Sequence, residues 1–358
     1  MKRILVSVTN DLINDQRVHK VCTTLKQANY DVFLIGIKLK TSKNLKRNYK
    51  TFRFKLLFKK GWLFYAEYNF RLFFILLILT KKNNILLSND LDTLTPNYFV
   101  SKLKRIPLVF DSHELFSELP SVQGRFSQKV WKFLESWLVP KQKYFFTVSD
   151  SIANWFSEKY NVKPIVLKNF PTLKNSAFKE TQQKYILYQG ALNKGRGLLA
   201  LIEAMQMIEI PLKIAGEGPF KSIIKEKIIE LKLENKIRLL GNIDPEKLVT
   251  ITENAILGIS LEEDLGLSYR YALPNKLFDY IQAKTPVLAT YLPEIKNIVE
   301  TYKVGEIIED HLPKSIAKGV HKILKKEKGY YQLHLEKASK ELIWEHQEEI
   351  LLNIFRNI

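Results

Sequence analysis

Between Tyr269 and Thr290 the chain reads YRYALPNKLFDYIQAKTPVLAT, a sequence of types and spacings that suits a phosphorylated ligand. The pattern predicts an irregular loop, a short helix, a turn and a buried strand. Pro274 suits a first helical position, where its missing N–H costs nothing. Leu277, Phe278 and Ile281 then make a core-facing stripe, while Asn275 and Asp279, four residues apart, share the opposite face. The N-terminus of such a helix presents N–H groups and a positive dipole end to a phosphate. Lys276 adds a cation there, and Asp279, one turn on, is placed to accept two hydrogen bonds from a ribose diol. An ordinary amphipathic helix with a solvated aspartate has the same letters, so the stretch gains its meaning from its company.

That company is a set of glycine-bearing strand ends. Tyr188-Gln-Gly190 runs into Asn193-Lys-Gly-Arg-Gly197 and then a helix. Gly190 allows a backbone to approach a diphosphate, and Lys194 or Arg196 can neutralise it. Ala215-Gly-Glu-Gly-Pro219 places Gly216 and Gly218 between a strand and a helix, and Leu240-Gly241-Asn242 closes the next strand where a base would sit. In the first half, Asp90-Leu-Asp92 has the spacing of a pair of divalent-cation ligands. It is read here as turn and capping residues, with Asp90 lining the binding crevice.

These loops need a scaffold, and the apolar runs supply one. Strands are expected at 4–8, 32–37, 85–88, 108–110, 145–148 and 165–167, with helices from near Gln16, over 68–79 as a buried helix, around 130–138 and over 151–159. A second strand-helix series starts at Tyr185, with strands at 185–188, 212–215, 237–240, 256–259 and 286–289, and a short one at 307–308. The expectation is α/β: two doubly wound, Rossmann-like domains facing a cleft. The first covers 1–171, a polar aperiodic linker covers 172–184, and the second covers 185–334. A closing helix over about 335–358 is expected to pack back on the first.

Composition narrows the class. The chain has 358 residues, enough for two cores. Its one cysteine, Cys22, excludes an internal disulfide and fits a reducing compartment. Met1-Lys-Arg leads straight into a strand, so no signal peptide is expected. The run Leu72 to Leu79 is too short to span a bilayer, and the histidines and cysteine lack metal-ligand spacing. The net charge is +19. Much of it lies between Lys38 and Lys60, where no acid occurs and Phe52, Phe54, Phe58, Trp62, Phe64 and Tyr65 are interleaved or follow. Basic residues mixed with large apolar ones over 38–65 fit an anionic membrane surface or a plain solvated loop. No signature of a nucleic-acid module is present, so no nucleic-acid partner is expected.

Taken in order, YQGALNKGRGLLALIEA, LKIAGEGP, IRLLGNI and PNKLFDYIQAKTPVLAT resemble the donor-binding domain of glycosyltransferase family 4, of the two-domain GT-B fold. NDQRVHKVCTTLKQANYDVFLI, LLSNDLDTL and LVFDSHELF resemble the first domain of a bacterial branch. The likeness spans nearly the whole chain. It implies a retaining transferase using a nucleotide-diphosphate sugar, with no cofactor and no essential metal, and an acid on the ribose where Asp279 stands. The family's usual acidic pair has seven residues between its members. Here Tyr271 occupies the first position, and Glu262 and Glu263 fall in register only if their loop is longer than usual. The family's Gly-Arg at the first diphosphate loop is Gly190-Ala191, which shifts phosphate charge onto Arg196.

The resemblance also puts His113, just after a buried strand, where the family has a histidine facing the donor sugar. Imidazole there hydrogen-bonds a sugar hydroxyl or relays a proton; capping the next helix is the plainer role. Glu114 beside it is the candidate acceptor base. Asp15 and Arg17 fit contacts to acceptor or phosphate, and Asp15 equally fits a helix cap. The implied activity is sugar transfer to a saccharide or lipid-linked saccharide hydroxyl in cell-surface polysaccharide or glycolipid synthesis, in the cytoplasm or peripherally on the inner face of the plasma membrane. A nucleotide-sugar epimerase of the same fold and a binding protein that kept the fold without turnover are the alternatives.

Overall fold

The computed structural model describes residues 1–13, 15–173, 184–327 and 329–358, and divides into two compact units, Met1–Asn169 with Gln347–Ile358, and Phe170–His346. In the first, elements run β1 (Arg3–Ser7), α1 (Gln16–Gln27), β2 (Asp31–Ile37), β3 (Lys50–Phe54), α2 (Gly61–Leu79), β4 (Ile85–Asn89), α3 (Leu91–Lys104), β5 (Leu108–Ser112), α4 (Phe126–Leu138), β6 (Tyr144–Thr147), α5 (Asp150–Tyr160) and β7 (Ile165–Val166). The strands form one parallel sheet in the order β3-β2-β1-β4-β5-β6-β7. Apolar runs at β1, β4 and β5 become its fully buried centre, as strands covered on both faces should.

The second unit runs β8 (Ile186–Gln189), α6 (Leu198–Ala204), β9 (Leu212–Ala215), α7 (Lys221–Glu230), β10 (Ile237–Gly241), α8 (Pro245–Glu253), β11 (Leu257–Ser260), α9 (Leu267–Arg270), α10 (Asn275–Gln282), β12 (Val287–Thr290), α11 (Pro293–Tyr302), β13 (Gly305–Ile308), α12 (Pro313–Leu324) and α13 (Gln332–Glu341). Its parallel sheet has the order β10-β9-β8-β11-β12-β13. Two doubly wound, Rossmann-like units of this kind are the GT-B architecture. Strand order reverses between β1 and β4 in the first unit and between β8 and β11 in the second. In open α/β sheets ligands bind beyond the carboxyl ends of the strands at such a reversal, so the residues after these four strands matter most.

Several elements depart from the sequence-based expectation. β3 lies inside the basic run, as an edge strand whose Lys50 and Phe52 face outward. Arg47 and Arg53 of that run reach the carbonyls of Leu12, Ile13 and Asp11, so part of the charge braces the loop after β1. The helix expected as buried over 68–79 begins at Gly61 and buries only Tyr68, Leu72 and Leu76, with one stripe left exposed. By length and composition alone it could cross a membrane. Pro274 is the residue before α10 and Asn275 its first. The closing helix expected over 335–358 is two pieces: α13 stays with the second unit, and α14 (Glu345–Arg356) carries the chain from Gln347 back to the first. There Glu348 accepts from Thr24 and the Phe355 carbonyl accepts from Tyr30. Most of the expected linker, residues 174–183, lies outside the described residues.

Candidate functional site

In the second unit, three loops from distant sequence meet at the β8/β11 reversal. Glu262, two residues past β11, is almost fully buried. Lys276 Nζ stands 3.0 Å from its Oε1, and Arg196 Nη1 stands 3.4 Å from the same oxygen. Ser260 donates to its other oxygen at 2.7 Å. Burial alone pushes a carboxyl up, but Lys276, Arg196 and the Ser260 hydroxyl outweigh it and hold Glu262 below the usual range. Two cations therefore converge on one ionised carboxylate. Lys276 is itself buried, pairs with Glu262 without hydrogen-bond geometry, and lies 4.1 Å above the Tyr188 ring. Arg196 lies over Tyr269 at 5.2 Å.

Gly190 follows β8 at φ +130°. A Cβ there would stand 3.4 Å from Lys276 Cε, so the glycine lets this lysine lie across the turn. Asp279 sits on the flank of α10, half-buried, and accepts from Gln189 Nε2 at 2.9 Å; Gln189 in turn accepts from Thr252 at 2.7 Å. This Thr252–Gln189–Asp279 chain sets the carboxylate's angle one turn from Lys276. Asn275 is exposed at the helix start.

The remaining sequence-predicted residues fall as follows. At Gly216 a Cβ would lie 1.9 Å from the Gly190 carbonyl, and at Gly218 it would lie 2.3 Å from that of Leu192. The space these glycines leave is filled by the neighbouring loop, so they serve loop packing first. Gly241 accepts from the Gly216 N–H at 2.8 Å and is part of the same stitching. Lys194 is exposed at the loop's outer edge. Glu263 accepts from the Gly197 N–H and donates its own N–H to Gly195, which ties the Arg196 loop to the loop after β11. Tyr271, at the family's first acidic position, ends α9 as a half-exposed residue.

In the first unit, His113 follows β5 between two carboxylates. Its Nδ1 is 3.2 Å from Asp90 Oδ2 and its Nε2 is 3.3 Å from Asp111 Oδ2. Burial lowers its pKa, but Asp90 and then Asp111 raise it to about 9. The ring is therefore a cation at neutral pH; its Nε2 donates to Asp111, and its Nδ1 side pairs with the Asp90 charge. Asp90 holds φ +58° and ψ 167°, a costly backbone for a residue with a Cβ. Two bonds keep it there: its N–H donates to the Asp111 carbonyl at 2.8 Å, and its Oδ1 accepts from the His113 N–H at 2.7 Å.

Arg17 does not present its guanidinium to a ligand. It is buried, grips both oxygens of Asp111 at 3.0 and 2.7 Å, and donates to the Leu167 carbonyl at 2.7 Å. Asp15 caps α1 by accepting from Val18 N at 3.0 Å, and also accepts from Asn10 at 2.7 Å. Glu114 is half-buried next to His113. Asp92 is buried, unlike Asp90, and accepts from Thr9. No cluster of three or more potential metal ligands occurs among the described residues.

Burial, reinforced by Asp90, pushes the Asp92 carboxyl up to about 8. An unfolded aspartate loses its proton near 3.8. The folded state therefore keeps a proton that the unfolded chain releases, and stability falls as pH rises from about 4 to about 8. Asp92→Asn keeps the shape and cannot ionise. Thermal melts should show the variant several degrees above wild type at pH 8.5, with the gap closing by pH 5. A gap that ignores pH would mean that Asp92 is ionised when folded.

Residues 169–341 match the family model for glycosyl transferases group 1. That span coincides almost entirely with the second unit, Phe170–His346. A curated relative from Campylobacter jejuni, N-acetylgalactosamine-N,N'-diacetylbacillosaminyl-diphospho-undecaprenol 4-alpha-N-acetylgalactosaminyltransferase, is 33% identical over 135 residues, which cover 34% of this chain and 37% of the relative. Among solved structures, sucrose-phosphate synthase from Thermosynechococcus elongatus superposes with a TM-score of 0.83 at 13% identity, covering 100% of this chain and 99% of that one. An Anabaena protein solved with UDP and glucose gives 0.75 at 12%, covering 100% of both. These likenesses show the two-domain fold over the whole chain.

Sequence reasoning missed the role of Glu262, which it set aside as too early for the family's first acid. The signal was present as Ser260-Leu-Glu262 directly after a buried strand. It also missed Gln189 and Thr252, which hold Asp279, and Tyr188, which lies beneath Lys276.

Proposed function

We propose that the chain is a retaining glycosyltransferase of family 4. It moves a sugar from a nucleoside diphosphate sugar to a hydroxyl of a saccharide or lipid-linked saccharide in cell-surface polysaccharide or glycolipid synthesis. The observation that carries this reading is the convergence of Arg196 and Lys276 beside the Gly190 turn. Two cations at one point, against main chain and helix start, suit a diphosphate leaving group whose charge grows as the sugar C1–O bond breaks. Asp279, angled by Gln189, then takes the ribose. With this charge supplied by side chains, no metal is required. His113, held cationic, donates a hydrogen bond and does not act as a base at neutral pH.

The Campylobacter relative's name specifies a diphospho-undecaprenol acceptor, which supports a lipid-linked acceptor and a cytosol-facing peripheral location. The Anabaena structure makes UDP the first nucleotide to try. Melting curves with UDP and GDP should show one of them raising the transition by several degrees when present in large excess over its Kd. Asp279→Ala and Arg196→Ala should abolish that rise with the unliganded melt little changed. If neither nucleotide shifts the melt, or if both variants shift as wild type does, the reading fails.

A further inference from the structure

We propose that the outer face of α2, α3 and α4 is a membrane-docking surface that seats its aromatic side chains in the headgroup layer of an anionic bilayer. The inference sharpens the location given above but does not depend on sugar transfer. α2 has two stripes. Tyr68, Leu72 and Leu76 face inward and are fully buried. The opposite stripe, at every fourth residue, is Trp62, Ala66, Phe70, Phe74 and Ile78, all exposed, with Phe70 at 66% and Ile78 at 80%. A helix on a water-facing surface carries polar residues on that side, whereas one apolar all round meets a second apolar phase.

α2 does not leave the fold to meet that phase. The Tyr68 hydroxyl donates to the Val8 carbonyl at 2.7 Å, and Asn69 donates to the Asp92 carbonyl at 2.9 Å. The inward stripe is thus fastened to the sheet, and the helix lies on the surface rather than crossing a bilayer.

The neighbouring helices extend the patch. α2 packs on α3 and α3 on α4, as right-handed crossovers on one face of a parallel sheet require. α4 exposes Phe126, Val130, Phe133 and Trp137, spaced as one helical stripe. Trp137 lies 5.8 Å from Phe99 of α3, which joins the two stripes. Exposed aromatics in this number exceed the scattered apolar residues normal for a monomer, and Trp and Phe suit the bilayer interface.

Charge selects the occupant. Exposed cations flank the patch, with Lys59 and Lys60 before α2, Lys81 and Lys82 after it, Lys104 ending α3 and Lys129 on α4. None of the three helices has an exposed acidic residue: Glu67 is half-buried against the Leu57 and Phe58 amides and Arg71, and Asp92 and Glu135 are buried. An apolar face rimmed only by cations matches an anionic lipid surface.

The full chain is to be sedimented with vesicles of phosphatidylcholine mixed with phosphatidylglycerol, and with pure phosphatidylcholine. Binding should be strong to the mixture and weak to the neutral lipid, and it should blue-shift tryptophan emission. Phe70→Ser/Phe74→Ser and Phe126→Ser/Phe133→Ser should each weaken partitioning by about tenfold or more, with melts near wild type because these side chains are exposed. Lys38→Gln/Lys40→Gln/Lys43→Gln should weaken it far less. The proposal is overturned if the chain ignores anionic vesicles, or if the lysine variant loses binding while the phenylalanine variants keep it. A lipid-free dimer that the phenylalanine variants dissolve would likewise overturn it, since a second copy would then cover the face. Nucleotide-induced melting shifts report separately on the transferase reading.

Discussion

Lys276→Met is expected to lower the kcat of sugar transfer by about a hundred- to a thousandfold, the cost of removing one preorganised partner of a developing anion. The ammonium of Lys276 is buried, lies over Tyr188 and stands 3.0 Å from Glu262, so its position is set before any substrate arrives. Water cannot replace it in that place. The variant has a second consequence that must be separated from the first. Glu262 would keep only Arg196, at 3.4 Å, and the Ser260 hydroxyl. A buried carboxylate stripped of its nearest cation destabilises a fold. Lys276→Met/Glu262→Gln removes both charges, so the double variant should melt close to wild type while transfer stays lost. Lys276→Arg should keep the fold and part of the rate, because the charge survives but its larger fork misfits the space over Gly190. Transfer that survives in the double variant at near wild-type kcat would remove Lys276 from the chemistry.

The fold was legible where chemistry is simplest. The apolar triplets 4–6, 85–87 and 108–110 at the centres of β1, β4 and β5 lie under cover on both faces and stand out in the sequence. The β8, β9 and β10 ends announced themselves by glycine. β3 was not legible, since an edge strand with Lys50 and Phe52 turned outward and Arg53 spent on the Asp11 carbonyl has no apolar signature. In α2 the periodicity that separates inside from outside is absent, because both stripes are apolar. Burial was the default reading, and the structure shows one side bare. In the candidate site, the residue types at 190, 196, 276 and 279 could be picked from their loops. Their mutual geometry could not, because it spans long separations: Arg196 meets Glu262 across 66 positions, and Gln189 meets Asp279 across 90. The same limit explains Arg17. Beside a helix start it resembles a ligand contact, and only the fold reveals that its partner is Asp111, 94 residues on.

Arg17→Met is expected to destabilise the first unit by about 3–5 kcal/mol, because it leaves a buried carboxylate without its main counter-charge. The pair is 4% and 1% exposed at its two side chains, and the third nitrogen of Arg17 donates to the Leu167 carbonyl at 2.7 Å. In a unit of this size each kcal/mol moves the melting temperature by about 2–4 °C, so the drop should be on the order of 10 °C. Arg17→Lys should fall between, since a single ammonium cannot hold both oxygens of Asp111 and the carbonyl at once. Arg17→Met/Asp111→Leu should recover much of the loss, since a buried ion pair replaced by apolar groups of similar size is often near neutral. Recovery will be incomplete, because Asp111 also accepts from His113 Nε2 and carries part of that ring's elevated pKa. The double variant removes the Asp111 charge and hydrogen bond that raise the His113 pKa and also the Arg17 charge that lowers it, so the pKa should fall only modestly from about 9, measurable by NMR titration of the ring protons. A melt of Arg17→Met within about 2 °C of wild type would show that Asp111 finds another partner or water, and would return Arg17 to the pool of residues open to a ligand.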